Sequence, residues 1–211
     1  MSADSSETNR LLHRAAAGDQ ECLGALLTRH EDRLRRMVVC RLDARLGRRI
    51  DPSDVIQEVY LTASRRLLEY VQQPAMPFFL WLRGIAGNKL LELHRNHLGA
   101  PIRDARREVP LDRAGAPEAS SAALAAQLVG SATTPREAAV RAEIKAHLQQ
   151  ALERLSPADR EVLALRHFEH LTTAEAAQVL GIKEAAAGKR CLRALERLRE
   201  ILASVPGALE L

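Results

Sequence analysis

Lys183, Lys189, Arg190, Arg193, Arg197 and Arg199 crowd the C-terminal part of the chain, with Ala186 and Ala187 among them. Guanidinium and ammonium groups along one helix can contact phosphates, and short apolar side chains beside them can touch thymine methyls in a major groove. The same charges also fit a solvated face with i, i+4 ion pairs, as among Arg193, Glu196, Arg197 and Glu200. Neither reading calls for a cofactor or a metal, and none is expected.

The turn before these residues shifts the balance toward nucleic acid. Thr172 and Glu175 have the spacing of a capping box, and Ala176, Ala177, Val179 and Leu180 supply an apolar face. Gly181 is placed to end that helix at positive φ, with Ile182 in the corner. A second helix is then predicted from Lys183 or Glu184 to Leu202. Ala177 leaves room for the two helices to cross steeply, and Leu192, Leu195, Leu198 and Leu202 are expected to face the core. Short helix, glycine corner and long basic helix make a helix-turn-helix.

Leu155-Ser-Pro-x-x-Arg160-Glu-Val-Leu-x-Leu165, Leu171-Thr-x-x-Glu175-x-Ala, Gly181-Ile and Arg190-x-x-Arg193-Ala-Leu together resemble domain four of extracytoplasmic-function sigma factors, small members of the sigma-70 family. That domain reads the minus-thirty-five element of a promoter, so the resemblance implies duplex contacts from Lys183, Ala186, Lys189, Arg190 and Arg193. The chain departs from the family where the recognition helix starts, commonly Ser-x-Gly-Thr-Val-Lys-Ser-Arg and here Lys183-Glu-Ala-Ala-Ala-Gly-Lys-Arg190. Lys183 cannot cap as Ser does, a loss of about 1 kcal/mol. Ala186 lacks a hydroxyl for phosphate, and Gly188 a basic side chain.

Earlier in the chain, Asp51 is a plausible N-cap and Pro52 suits the first helical position. Val55, Ile56, Val59, Tyr60, Ala63 and Leu67 form the predicted buried face, leaving Asp54, Gln57, Glu58 and Thr62 to project elsewhere. Periodicity alone makes Asp54 and Glu58 capping and solvated residues. However, Asp54-Val-Ile-Gln57-Glu58 also resembles a domain-two segment that docks on the β′ coiled coil of core RNA polymerase. The resemblance implies that Asp54, Gln57 and Glu58 bind core polymerase.

Pro74 and Pro77 interrupt the chain before FFLWLRGIAGNKLLELHRNHL, where Phe78, Phe79, Trp81, Leu82 and Ile85 read as a core cluster. Trp81-Leu-Arg-x-Ile85-Ala-x-Asn88 resembles the family signature leading into minus-ten recognition, which implies that Asn88 reads a base of the melted non-template strand. An amide can pair with the Watson–Crick edge of an unstacked base, with Arg83, Lys89 and Arg95 holding the backbone. Gly84 and Gly87 replace bulkier residues usual at this junction. They either permit close backbone approach or loosen the helix, at roughly 1 kcal/mol each relative to Ala.

These segments require an all-α fold: domain two over 1–98, a linker over 99–135 and domain four over 136–211. In domain two, helices are predicted over Glu7–Ala17, Glu21–Leu46 and from Asp51, and Arg29, Arg33, Arg35, Arg36, Arg41 and Arg45 fall on the outer face of the second. The linker is rich in Pro and Gly, yet Ser121–Val129 can form a short helix. Its Ser120-Ser-Ala-Ala-Leu-Ala125 stretch resembles linkers of planctomycete-type members. In domain four Val140, Ile144, Leu148 and Leu152 share one helical face, and Ser156-Pro157 starts the next helix.

With 211 residues and 46% apolar side chains the chain can bury two modest cores. A net charge of +4 and an isoelectric point near 9.3 favour a polyanionic partner. No apolar run reaches membrane length and the N-terminus lacks a secretory core, so a cytoplasmic protein without membrane contact is expected. Three widely spaced cysteines suit a reducing compartment, against a Cys22 site with His13 or His30.

The resemblance thus implies a sigma factor that joins core RNA polymerase to promoter DNA, with an anti-sigma factor as a further partner it leaves open. A competing reading is a DNA-binding regulator using only the helix-turn-helix, with residues 7–98 for ligand sensing or dimerisation. An enzyme is disfavoured, since no Gly-rich phosphate loop, HExxH, GxSxG or Ser/His/Asp constellation stands out.

Overall fold

A computed structural model describes residues 2–43, 45–47, 49–98, 115–130 and 135–204. The ordered elements are α1 (Ser2–Ala16), α2 (Gln20–Arg41), α3 (Pro52–Gln72), α4 (Phe78–Leu98), α5 (Ser121–Val129), α6 (Pro135–Glu153), α7 (Pro157–Leu163), a π turn (Ala164–Phe168), α8 (Thr173–Leu180) and α9 (Glu184–Ala203). No strand occurs among the described residues, so the expected all-α class holds. The chain divides into one unit of Met1–Val38 with Leu46–Pro117 and another of Val39–Arg45 with Glu118–Leu211.

In the first unit, Gly18 turns the chain at φ 98° between α1 and α2. Asp19 then caps α2 by accepting from the Cys22 amide at 3.0 Å. Asp51 caps α3 by accepting from the Ser53 amide at 2.7 Å, with Pro52 at the first helical position. Those accepted bonds hold the carboxyls of Asp19 and Asp51 below their usual range.

Helices α3 and α4 pack together, and Val55, Ile56, Val59, Ala63 and Leu67 are buried as expected. Tyr60 is only half-buried and donates its hydroxyl to Leu27 O at 2.9 Å. Tyr70 takes the place on the buried face, where its ring lies 4.8 Å from Trp81 and its hydroxyl donates to Met76 O at 2.8 Å. Phe78 stands 5.5 Å from both rings, and the Arg33 guanidinium lies 3.7 Å above Phe79. The aromatics are a core cluster.

Helix α2 stops at Arg41, short of the predicted Leu46. Asp43 accepts from the Arg45 amide at 2.8 Å, a local turn that competes with continuing the helix. Arg41 is also not on an outer face: it is fully buried in the second unit. Its Nε donates to Glu169 at 2.6 Å, and its terminal nitrogens donate to Glu161 at 2.7 and 3.2 Å. Glu169 is itself fully buried. The two carboxylates outweigh the cost of burial and raise the Arg41 pKa, so the guanidinium stays charged.

Leu124, Ala125, Leu152, Val162, Leu163, Phe168 and Ala194 form the core of the second unit. Helix α5 belongs to it. Ser120 caps the helix, accepting from the Ala123 amide at 3.3 Å, and the Arg141 guanidinium donates to Val129 O at 3.1 Å at the opposite end. The 99–135 linker therefore contains a helix packed against α6, while its residues 99–114 and 131–134 lie outside the described ones. On α6 itself Val140 is exposed, Ile144 and Leu148 are half-buried and only Leu152 is fully covered, so the expected stripe sinks inward along the helix.

Candidate nucleic-acid interface

The helix-turn-helix forms as its local chemistry dictates. Glu175 N donates to Thr172 Oγ1 at 3.1 Å and Thr172 N donates to Glu175 Oε2 at 2.7 Å, closing the capping box. Gly181 ends α8 in the left-handed region at φ 65°, ψ 31°. The Ile182 amide donates to Ala177 O at 3.0 Å, and Ala177 is buried against the corner. Lys183 follows as the N-cap of α9 without a side-chain hydrogen bond, as its chemistry requires.

The core face of α9 differs from the expected one. Ala187, Cys191 and Ala194 are buried, while Leu192 is 63% exposed and Leu195 is also on the outside. Leu198 packs partly against the core beside Ile201. Close crossing of α9 with α7 and α8 admits Ala and Cys where the helices meet, so the packed register is set by small residues and not by the leucines. Cys191 Sγ lies 3.6 Å from His167 Nε2 on the π turn. Burial pushes the Cys191 thiol up and lowers His167, with Arg166 and His170 adding to the histidine's shift.

Opposite the core face, Lys183, Ala186, Lys189 and Arg193 are exposed and Arg190 is half-exposed. Among the described residues these four cations join no ion pair. Arg197 differs, being paired with the buried carboxylate of Asp159. A Cβ added at Gly188 would meet only Thr173 Cγ2 at 3.7 Å, an ordinary contact, so packing does not demand glycine there. The exposed strip is thus cationic with a methyl-sized gap at Ala186, which can take phosphates at its edges and a base edge at its centre.

On α3, Asp54, Gln57 and Glu58 all project outward. The same face carries Leu61 and Leu68, 55% and 58% exposed, which sequence reasoning passed over. The available signal was the seven-residue spacing from Asp54 to Leu61 to Leu68, a seam outside the buried set. From Asp54 to Leu68 this seam extends about 21 Å at the rise of an α-helix.

On α4, residues 78–87 are buried all round, which erases the periodicity that marks an outer face. Arg83 lies in that stretch and is 4% exposed, so it is not on a surface open to a DNA backbone. Asn88 and Lys89 follow it half-exposed, and Arg95 is exposed. Lys89 Nζ reaches Glu92 at 3.4 Å and Glu58 at 3.6 Å, joining an expected strand contact to an expected polymerase contact. Gly87 is a position of close approach: a Cβ there would sit 2.8 Å from Gly115 O and 3.1 Å from Ala116 Cβ.

Among the described residues no group of three His, Cys, Asp or Glu side chains is arranged to hold a metal, and no helix is long and apolar enough to cross a membrane. Fold and surface together define a helix-turn-helix protein. Residues 146–198 match the family described as Sigma-70, region 4. The RNA polymerase sigma factor NccH of Alcaligenes xylosoxydans xylosoxydans is 30% identical over 206 residues, covering 95% of this chain and 97% of that protein. The ECF RNA polymerase sigma factor BldN of Streptomyces coelicolor is 26% identical over 200 residues, covering 95% of this chain and 67% of that protein. A solved structure of CnrH in complex with the cytosolic domain of CnrY has a TM-score of 0.56 at 25% identity, covering 94% of this chain and 98% of that chain. The chain belongs to the extracytoplasmic-function sigma factors of the sigma-70 family. It serves transcription initiation as a regulatory DNA-binding subunit, with core RNA polymerase and promoter DNA as its partners.

Proposed function

We propose that this sigma factor divides its work between two faces of domain two and one of domain four. Residues 1–98 form domain two, 99–135 the linker that contributes α5, and 136–211 domain four. The outer face of α3 docks core polymerase through Asp54, Gln57 and Glu58, whose carboxylates and amide give a rigid helix directional bonds to a polar partner. Asn88 on α4 reads an unpaired base of the minus-ten strand, with Lys89 and Arg95 at its backbone. Helix α9 places Lys183, Ala186, Lys189, Arg190 and Arg193 on the minus-thirty-five duplex. The observation that carries the reading is the exposed strip of α9, whose cations join no ion pair among the described residues, following a helix α8 capped at both ends.

No residue of the chain is assigned a catalytic role, and the protein is taken to act in the cytoplasm, where the polymerase is. An anti-sigma factor is proposed as a partner on the likeness to CnrH, which was solved with the cytosolic domain of CnrY.

Reconstitution with core RNA polymerase and mapping of start sites on a genomic library tests the reading, with Asp54→Arg and Asn88→Ala alongside. Specific starts should disappear with Asp54→Arg through failed core binding, and with Asn88→Ala while core binding persists. Duplex binding by the wild-type protein without core binding or start sites would sink it.

A further inference from the structure

Leu192 is 63% exposed on α9, and its position around the helix decides what it can meet. Ala187, Cys191 and Ala194 are buried, so they fix the direction of the core. At 3.6 residues per turn Lys189 falls on the side away from them. Ala185 and Leu192, seven residues apart, form a row on one side of Lys189, and Ala186 and Arg193, also seven apart, form the row on its other side. All five side chains are exposed. Glu196 is exposed one turn beyond Leu192, and its carboxylate repels phosphate, which ends the strip there. Leu192 therefore shares the cationic face of the helix and is not a stray leucine on a remote flank.

We propose that Leu192 covers a thymine methyl in the minus-thirty-five duplex and so gives this protein a preference for thymine at a fixed position of that element. The proposal rests on the reading of α9 as the duplex-binding helix, and it adds a specificity residue that the cationic contacts do not supply. Lys183, Lys189, Arg190 and Arg193 can hold phosphates of any sequence, and a phosphate contact carries no base information. The C5-methyl of thymine is the apolar group that a base edge presents in the major groove. Ala185, in the same row as Leu192, is small enough to let base edges close on the helix. The charge around Leu192 favours DNA as what covers it. An apolar partner helix on this face would bury Lys189 and Arg193 at a large cost, whereas a duplex brings phosphates for the cations and a methyl for the leucine.

The test uses the full chain with core RNA polymerase and a duplex carrying a minus-thirty-five element found by the start-site mapping. Deoxyuridine replaces each thymine of that element in turn, which removes the methyl and keeps base pairing. At least one replacement should weaken binding by the wild type about fourfold, the worth of one buried methylene-sized group. Leu192→Ala should weaken binding to the thymine duplex by at least as much and be indifferent to deoxyuridine at that position, with assembly on core polymerase unchanged. Leu192→Met, which keeps an apolar reach, should retain the dependence. The proposal is overturned if no deoxyuridine weakens the wild type, or if Leu192→Ala shows the same deoxyuridine effect as the wild type. A loss in Leu192→Ala that arises in core assembly also overturns it, and would make Leu192 a protein contact. Lys189→Ala and Arg193→Ala separate this proposal from the reading beneath it. If they leave duplex binding intact, α9 is not the duplex-binding helix; if they weaken it while Leu192→Ala does not, only the thymine contact fails.

Discussion

Lys89 Nζ lies 3.6 Å from the Glu58 carboxylate, so the residue proposed to hold the DNA strand is tied to one proposed to hold the polymerase. The side chains are 26% and 57% exposed, and Lys89 also reaches Glu92 at 3.4 Å. Water screens such a pair, and its worth is below about 1 kcal/mol. Glu58→Gln should therefore leave the urea unfolding midpoint nearly unchanged while weakening association with core polymerase. A large drop in stability in Glu58→Gln would show that the pair is structural and that the weakened association is indirect.

The cations of α9 predict a salt signature. Removing one phosphate-binding cation should reduce the slope of log affinity against log salt by about 1. Lys189→Ala and Arg193→Ala should each do so on duplex promoter DNA, weakening all sequences alike if they touch only phosphates. Arg197→Ala should leave the slope unchanged, because Arg197 is committed to Asp159. Equal effects from all three would reduce the strip to a diffuse charge without defined phosphate partners.

The register of α9 gives a packing test. Leu192 is mostly exposed, so Leu192→Ala should shift unfolding by less than about 0.5 kcal/mol. Ala194 is fully buried at the crossing, and Ala194→Leu should cost roughly 1–3 kcal/mol through overpacking. Urea denaturation followed by circular dichroism measures both, and the opposite ranking would return the leucines to the core.

The part of the fold that local chemistry controls was readable in advance. Thr172, Glu175 and Gly181 specify both ends of α8 within a short stretch, and Asp51-Pro52 specifies the start of α3. The face of α9 was not readable, because its leucines outweigh Ala187, Cys191 and Ala194 in hydrophobicity while tight crossing favours the smaller residues. Arg41 carries no local sign of burial, since its partner Glu169 is 128 residues away. Arg83 was hidden similarly, by a helix covered on all sides over 78–87. For Gly87 the sequence left two explanations, and the approach of Gly115 decides for close packing over loosening.

Arg41, Glu161 and Glu169 form the most deeply buried ionic group described in the second unit, and removing one member leaves charge in an apolar setting. Arg41→Ala should destabilise this unit by roughly 3–5 kcal/mol, the cost typical of breaking a buried pair. Replacing Arg41 and Glu169 together by Met and Leu should recover much of that stability, since both the cation and its fully buried partner are then gone. Thermal unfolding of the two variants and the wild type provides the comparison. A double variant no more stable than Arg41→Ala would mean that the group acts through shape and not through charge.

His167 adds a pH dependence whose direction follows from its environment. Burial first, then Arg166 and His170, hold its folded pKa below the ordinary value of about 6.5, while Cys191 Sγ sits 3.6 Å from its Nε2. A group depressed in the folded state contributes stability that is complete above its unfolded pKa and is lost as pH falls through the lower folded value. The unfolding midpoint should therefore fall as pH drops through the unfolded value of about 6.5 and below it, and the drop should be smaller in His167→Gln, which keeps a polar side chain beside the thiol. The imidazole is partly open to solvent, so the effect is modest and best read as the difference between the two pH profiles. Parallel profiles for wild type and variant would remove His167 from the account and leave the π turn held by the Arg166 bond to Leu171 O.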